Sequence, residues 1–237
     1  MSHAVFSDLG RMGYQAAWDL QQAIQTGLIE RRLAEHLLFV EHPPTITIGR
    51  RGTADEVVAP RKVLEARGIT VTETDRGGQV TYHGPGQIVA YPIIDLQAHG
   101  LGLHEYMRRL EEAVIGTIQE YGVKGYRVEG RTGVWVGKEK ICAMGIRVRR
   151  WCTIHGLALN VDTDLNHFGM IIPCGIRDRG VTSLRVLLGD ASPAIGDVRA
   201  RLRDHLAKQL DLQLEEVAAA ELEGYRQSTR LAGTSQG

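Results

Sequence analysis

Apolar residues recur at intervals of three and four from about Gly13 to Glu30, with Ala17, Leu20, Ile24 and Leu28 on one face, and this spacing predicts an amphipathic helix. HLLFVEH (36–42) then reads as a strand, Pro43 and Pro44 as a break, and TITIG (45–49) as a second strand. APRKVLEARG (59–68) predicts a short helix stopped by Gly68, and ITVTET (69–74) a further strand. QVTYH (79–83) and QIVAYPIIDL (87–96) read as the arms of a hairpin turned by Gly84-Pro85-Gly86. The strongest helical signal runs from Leu103 to Tyr121, where Met107, Leu110, Val114 and Ile118 form one stripe and Gly122 ends it. YRVEG, TGVWVG, KICAMGIRVRR and CTIHGLALNV follow as short strands, the GKEK segment making a tight connection between two of them. A turn near DLNHFG, a short helix at TSLRVLL and a longer one from about Ile195 to Leu210 complete the pattern.

Strands in hairpins with helices set among them predict an α/β fold of α+β character: a mixed, largely antiparallel sheet covered by helices, not a doubly wound one. No repeat, low-complexity tract or interdomain linker interrupts the 237 residues. The expectation is one catalytic domain over 1–237, with a core of about 9–210 and a disordered tail over about 225–237.

Composition narrows the function. Hydrophobic residues make up 43%, enough for a sizeable core, and 28 basic side chains balance 28 acidic ones. A nucleic-acid binder normally carries a positive excess, so that class is disfavoured. No apolar run approaches the roughly 20 residues of a membrane span, and MSHAVFSDLGRMGYQ lacks the order of a secretory signal. Cys142, Cys152 and Cys174 show no paired spacing, so neither a disulfide framework nor a zinc site is expected. The chain therefore reads as cytoplasmic, with reduced thiols.

The stretch RGGQVTYHGPGQIVAYPIIDL (76–96) raises the question of a ligand. It lacks the Gly-Lys-Ser/Thr ending of a phosphate loop, and its glycines miss the dinucleotide spacing and open no helix. His83 stands alone in its strand, and no His-x-x-x-His or Glu-x-x-His pair occurs, which favours a hydrogen-bonded histidine over a metal ligand. The Gly84–Gly86 turn needs only conformational freedom, whereas Gly77 and Gly78 precede a strand and would leave its backbone open to a ligand.

GMIIPCGIRDRGVTSL places Cys174 between Pro173 and Gly175, where backbone N–H groups could form an oxyanion hole. A free thiol of pKa ≈ 8.5 needs a cation or base nearby; Lys140, Arg177, Arg179, His83 and His155 are the candidates. Period-two alternation in KICAMGI puts Lys140, Cys142 and Met144 on one face and Ile141, Ala143 and Gly145 on the other. From pattern alone Lys140 reads as a solvated surface residue and Cys174 as a small buried hydrophobe. The residues lead as far as a possible thiol enzyme with a glycine-lined pocket.

Taken in order, RGGQVTYHGPGQIVAYPIIDL (76–96), RTGVWVGKEKICAMGIRV (131–148), HGLALNV (155–161) and IIPCGIRDRGVTSL (171–184), with EHPPTITIGRRG (41–52), resemble the lipoyl(octanoyl) transferase family over roughly Leu9 to Leu210. The resemblance implies the biotin/lipoate protein ligase fold and transfer of an octanoyl group without a cofactor. The donor would be octanoyl-acyl carrier protein. The acceptors would be lipoyl domains of 2-oxoacid dehydrogenase complexes and the glycine cleavage H protein. Cys174 takes the acyl-thioester position and Lys140 that of the lysine which lowers the thiol pKa and moves protons. Substrate contacts carry over to Arg76, Gly77, Gly78, Gln79, Val80, Thr81, Tyr82 and His83, to Ala143, Met144 and Gly145, and to Gly156, Leu157 and Ala158. A monomer is implied, with no metal. Val80 and Tyr82, or Ala143 and Leu157, would line an acyl pocket, and Arg147, Arg149 and Arg150, or Arg177, Arg179 and Arg185, could attract acidic carriers. The alternatives are an ATP-dependent lipoate or biotin ligase of the same fold, a lipoyl amidotransferase, and a non-catalytic acyl-binding module.

Overall fold

The computed structural model describes residues 1–172 and 180–225. Eight strands form the large sheet, in the order β11 (Leu212–Glu216), β1 (Ser2–Arg11), β2 (Glu35–Glu41), β6 (Gln87–Ile93), β10 (Cys152–Asn160), β9 (Glu139–Arg149), β8 (Arg131–Val136) and β7 (Tyr126–Val128). The β11–β1 and β1–β2 pairs are parallel and the other five antiparallel. A second sheet orders β4 (Thr70–Glu73), β3 (Thr45–Ile48) and β5 (Val80–His83). The mixed, largely antiparallel sheet covered by helices is thus the observed architecture.

The central strands read as unbroken apolar runs because both faces are covered. In β2, Leu37 and Phe39 join one core while Leu38 and Val40 join another, and in β6 Ile88 and Ala90 part from Val89, Tyr91 and Ile93 in the same way. Helices α3 (Leu103–Gln119) and α5 (Ile195–Leu210) cover the first face, through Leu110, Val114, Ile118, Val198, Leu202 and Leu206. Helix α1 (Tyr14–Ile29) covers the second with Ala17, Leu20 and Ile24. The small sheet keeps its own core of Ile46, Ile48, Val80 and Tyr82, closed by Leu64 of α2 (Arg61–Ala66) and by Phe168 and Met170. Helix α4 (Leu184–Leu188) is capped by the Ser183 hydroxyl, which accepts from Val186 N.

The hairpin expected around Gly84–Gly86 does not form. β5 pairs with β3 in the small sheet, whereas β6 inserts between β2 and β10 in the large one. Gly86 (φ +79) makes the crossing: its carbonyl accepts from Val161 N and Asp162 N, and a Cβ there would meet Asp162 O at 2.3 Å. The expected tail lies outside the described residues apart from Tyr225.

Candidate active site

A cleft of about 520 Å³, part of it open to solvent, lies where β5 and the start of α1 meet β6, β9 and β10. Of the positions singled out in the sequence, Arg76, Gly78, Gln79, Thr81, His83, Lys140, Ala143, Met144, Gly145, Gly156, Leu157 and Ala158 line it. Gly77 lines an adjoining groove that shares Gly78, Gln79, Lys140, Met144 and Gly145 with the cleft. Val80 and Tyr82 turn the other way, into the small-sheet core; the apolar walls are Val89, Ala143, Leu157 and Ala158. Tyr14, Val89 and Tyr91 also line the cleft and were not anticipated, because they come from elements that periodicity marked only as core.

Glycine's part in this site is to bring backbones together. Gly77 N donates to Ile146 O at 2.9 Å, and a Cβ on Gly145 would stand 2.4 Å from Gly77 O. The loop between β4 and β5 therefore lies flat on β9 only because both positions lack a side chain. Two charged groups hold the same loop, Arg76 to the small sheet and Asp75 to the large one. Arg76, buried, donates through Nη2 to Thr47 O (2.7 Å) and through Nε to Thr47 Oγ1 (3.1 Å). Asp75 takes His155 Nε2 at 2.7 Å and pairs with Arg147.

Burial sets the protonation of the cleft. It pushes His83 down to about 3, with His42 adding repulsion, and His42 down to about 4. Burial also lowers His155, against the pull of Asp75. Desolvation would raise Asp75, but the hydrogen bond and charge of His155 and the charge of Arg147 hold it below the usual carboxylate range. Tyr14 and Tyr91 are raised by burial and stay phenols. The histidines at the cleft are thus neutral near pH 7, and the positive charge on its walls belongs to Arg76 and Lys140.

The even alternation expected along β9 is broken at Lys140. Val134 faces Cys142 while its neighbour Trp135 faces Lys140, so β9 carries one extra residue and a bulge. Lys140 and Cys142 therefore lie on opposite faces. The ammonium of Lys140 stands 4.8 Å from the centre of the Trp135 ring, on the cleft side, and Cys142 is sealed in the core beneath α3. Burial drives the Cys142 thiol far up and the Cys152 thiol to about 11. Cys174, Arg177 and Arg179 lie outside the described residues. The chain enters that segment at Ile172, whose N–H donates to Glu56 O (2.8 Å), and leaves it at Gly180, whose carbonyl accepts from Lys140 N (3.0 Å). Thr182 N then donates to Lys140 O, also at 3.0 Å. Among the described residues no group of three His, Cys, Asp or Glu side chains is placed to hold a metal ion, and no helix is long and apolar enough to cross a membrane.

Residues 13–207 match the model of the lipoyl protein ligase A/B catalytic domain family. The chain is 49% identical over 208 residues to an octanoyltransferase of Chloroflexus aggregans, spanning 86% of this chain and 94% of that protein. It is 51% identical over 197 residues to an octanoyltransferase of Chloroflexus aurantiacus, spanning 82% and 88%. Among solved structures, a putative lipoate protein ligase from T. acidophilum with bound lipoic acid superimposes with a TM-score of 0.70 at 19% identity, covering 95% of this chain and 94% of that one. A lipoate-protein ligase A bound with ATP gives 0.71 at 18% identity, covering 96% and 93%. These likenesses establish the fold.

Proposed function

The chain belongs to the lipoyl protein ligase A/B catalytic domain family, and from that premise we propose that it is an octanoyltransferase that carries the acyl group on Cys174. The donor is octanoyl-acyl carrier protein, and the acceptor is a specific lysine of a lipoyl domain, as in 2-oxoacid dehydrogenase complexes and the glycine cleavage H protein. The protein works in the cytoplasm as a monomer.

One observation carries this reading. Lys140 lines the cleft together with the apolar Val89, Ala143, Leu157 and Ala158, and the Lys140 peptide is bonded through both its N–H and its carbonyl to the chain that follows the Cys174 segment. The cleft takes the acyl chain, whose roughly six methylenes contribute on the order of 5 kcal/mol when buried. The Lys140 ammonium favours the Cys174 thiolate. The thiolate attacks the thioester carbonyl, a carbon–sulfur bond forms to Cys174, and the carrier's thiolate leaves and takes a proton from Lys140. Lys140, now neutral, takes a proton from the acceptor's lysine. That amine attacks, the bond to Cys174 sulfur breaks, the surplus proton on nitrogen passes through Lys140 to the departing sulfur and on to solvent as the thiolate re-forms, and the product is an amide. Exchange of a thioester for an amide is downhill, so ATP has no part in the cycle.

Intact-protein mass spectrometry after mixing with octanoyl-acyl carrier protein tests the scheme. An octanoyl adduct is expected, absent in Cys174→Ala and present in Cys142→Ala. Loading of free octanoate that depends on ATP, with no adduct from the carrier, would instead make the protein a ligase.

A further inference from the structure

The hydrogen bonds behind His83 have a single self-consistent polarity. Thr182 O and Tyr82 O are backbone carbonyls and can only accept. Asn160 therefore meets Thr182 O with its Nδ2, at 3.0 Å, and turns Oδ1 toward Gln87. Gln87 Nε2 donates to that Oδ1 at 2.9 Å and to Tyr82 O at 3.2 Å, which leaves Gln87 Oε1 facing His83 Nδ1 at 2.8 Å. An amide oxygen brings no hydrogen, so Nδ1 carries it. All five residues are buried, so water cannot substitute for these partners. Three elements take part: β5 with His83, β6 with Gln87 and β10 with Asn160.

We propose that Gln87 and Asn160 are positioning residues that fix His83 as its Nδ1–H tautomer, so that Nε2 presents a lone pair to the cleft and accepts a hydrogen bond from the incoming lysine amine. The proposal rests on the function stated above and gives His83 its part in the second half of it. With one N–H of the amine held by Nε2, the nitrogen lone pair is left free to attack the thioester carbonyl. The carbon–nitrogen bond forms, the carbon–sulfur bond to Cys174 breaks, and the surplus proton passes through Lys140 to the leaving sulfur. His83 takes no proton. The groups around it among the described residues support that: Tyr14 of α1 stacks on the ring at 5.8 Å and 17°, His42 after β2 stands edge-on at 5.8 Å, and Arg76, His155, Tyr91 and Lys140 line the same cleft. None of these supplies a negative charge, and burial holds the ring neutral down to about pH 3. The same polarity excludes His83 as an oxyanion donor, since its one N–H points away from the cleft.

Two measurements decide the matter. Nitrogen-15 NMR of the wild-type protein should show His83 with Nδ1 protonated and Nε2 bare across pH 5–8; the opposite tautomer, or a titration in that range, overturns the proposal. Rapid-quench kinetics should then separate acylation of Cys174 from transfer to a lipoyl domain. Gln87→Glu keeps an acceptor at Nδ1 and favours the imidazolium, which has no lone pair. It also removes the donor to Tyr82 O and Asn160 Oδ1, so circular dichroism first checks that the variant folds. The ratio of transfer to acylation rates should fall at least tenfold at pH 6 and recover as pH rises past the new histidine pKa. A ratio that does not change with pH would assign Gln87 a purely structural part and sink the idea. Absence of any acyl-enzyme would overturn the proposed function, and with it the role of the amine, while the NMR result would decide the tautomer separately.

Discussion

At the scale of single residues, the three cysteines are chemically unequal because of where the chain puts them. Cys142 and Cys152 are both buried, and burial raises both thiols, Cys152 to about 11. At pH 7 neither offers appreciable thiolate, and the thiolate is the species that alkylates. Iodoacetamide added to the native protein is therefore expected to modify Cys174 first, with Cys142 and Cys152 reacting only after unfolding; peptide mapping by mass spectrometry reads the order. Early labelling of Cys142 would remove the distinction drawn between the thiols. The sequence could not supply that distinction. Regular alternation set Cys142 beside Lys140, and one extra residue in β9, invisible to a periodicity count, turned the two apart. By contrast, the glycine pair Gly77-Gly78 was legible as a place of close backbone approach. Lys140 and Cys174 stood out only through the family resemblance, since a lysine opening a strand and a lone cysteine are ordinary local patterns.

At the scale of elements, the cleft exists because a small sheet is held against a large one along a narrow seam. Gly77 meets Gly145 across it, backed by Asp75 on His155 and Arg147, while Arg76 on Thr47 anchors the loop to the small sheet. A methyl group at Gly145 would press on Gly77 O, a backbone atom with little freedom to move. Gly145→Ala is expected to destabilise the protein by about 1–3 kcal/mol and to lower kcat/KM by opening the seam, as urea denaturation and steady-state assays would show. Unchanged stability and activity would mean that the seam is not what shapes the cleft. Helices α1, α3 and α5 and most strands were legible from periodicity, because each buries a face of its own. The local pattern predicts neither β1 nor β11, and it joins β5 and β6 in a hairpin that the structure does not contain. Those strands find their partners far along the chain, Ser2 beside Leu212 and Val80 beside Ile48, and a local pattern of two β runs with a Gly-Pro-Gly turn carries no signal of that.

At the scale of the whole molecule, neutral buried histidines tie the site to acid stability. His42 and His83 have native pKa values of about 4 and about 3, against about 6.5 in an unfolded chain. Between those limits the unfolded state binds protons that the folded state refuses, so their contribution is complete above about pH 6.5 and is lost as pH falls. At pH 5 each histidine costs about 2 kcal/mol, or about 4 kcal/mol for the pair. His36 and His155, lowered by burial, act in the same direction. His99 opposes them: the hydrogen bond to Glu35 raises it, and its contribution is present at low pH and fades as pH rises through its folded value. Folding stability typically totals 5–15 kcal/mol, so the balance is large enough to see in one comparison. Urea unfolding is expected to show a markedly lower midpoint at pH 5 than at pH 7, with a pH slope near pH 5 equivalent to about two protons taken up on unfolding. Equal midpoints would mean that the histidines take up protons as readily in the folded protein as in the unfolded one, and at pH 5 His83 would then have no lone pair to offer an incoming amine. The acid sensitivity of the fold and the neutrality of the ring in the cleft are two consequences of one burial.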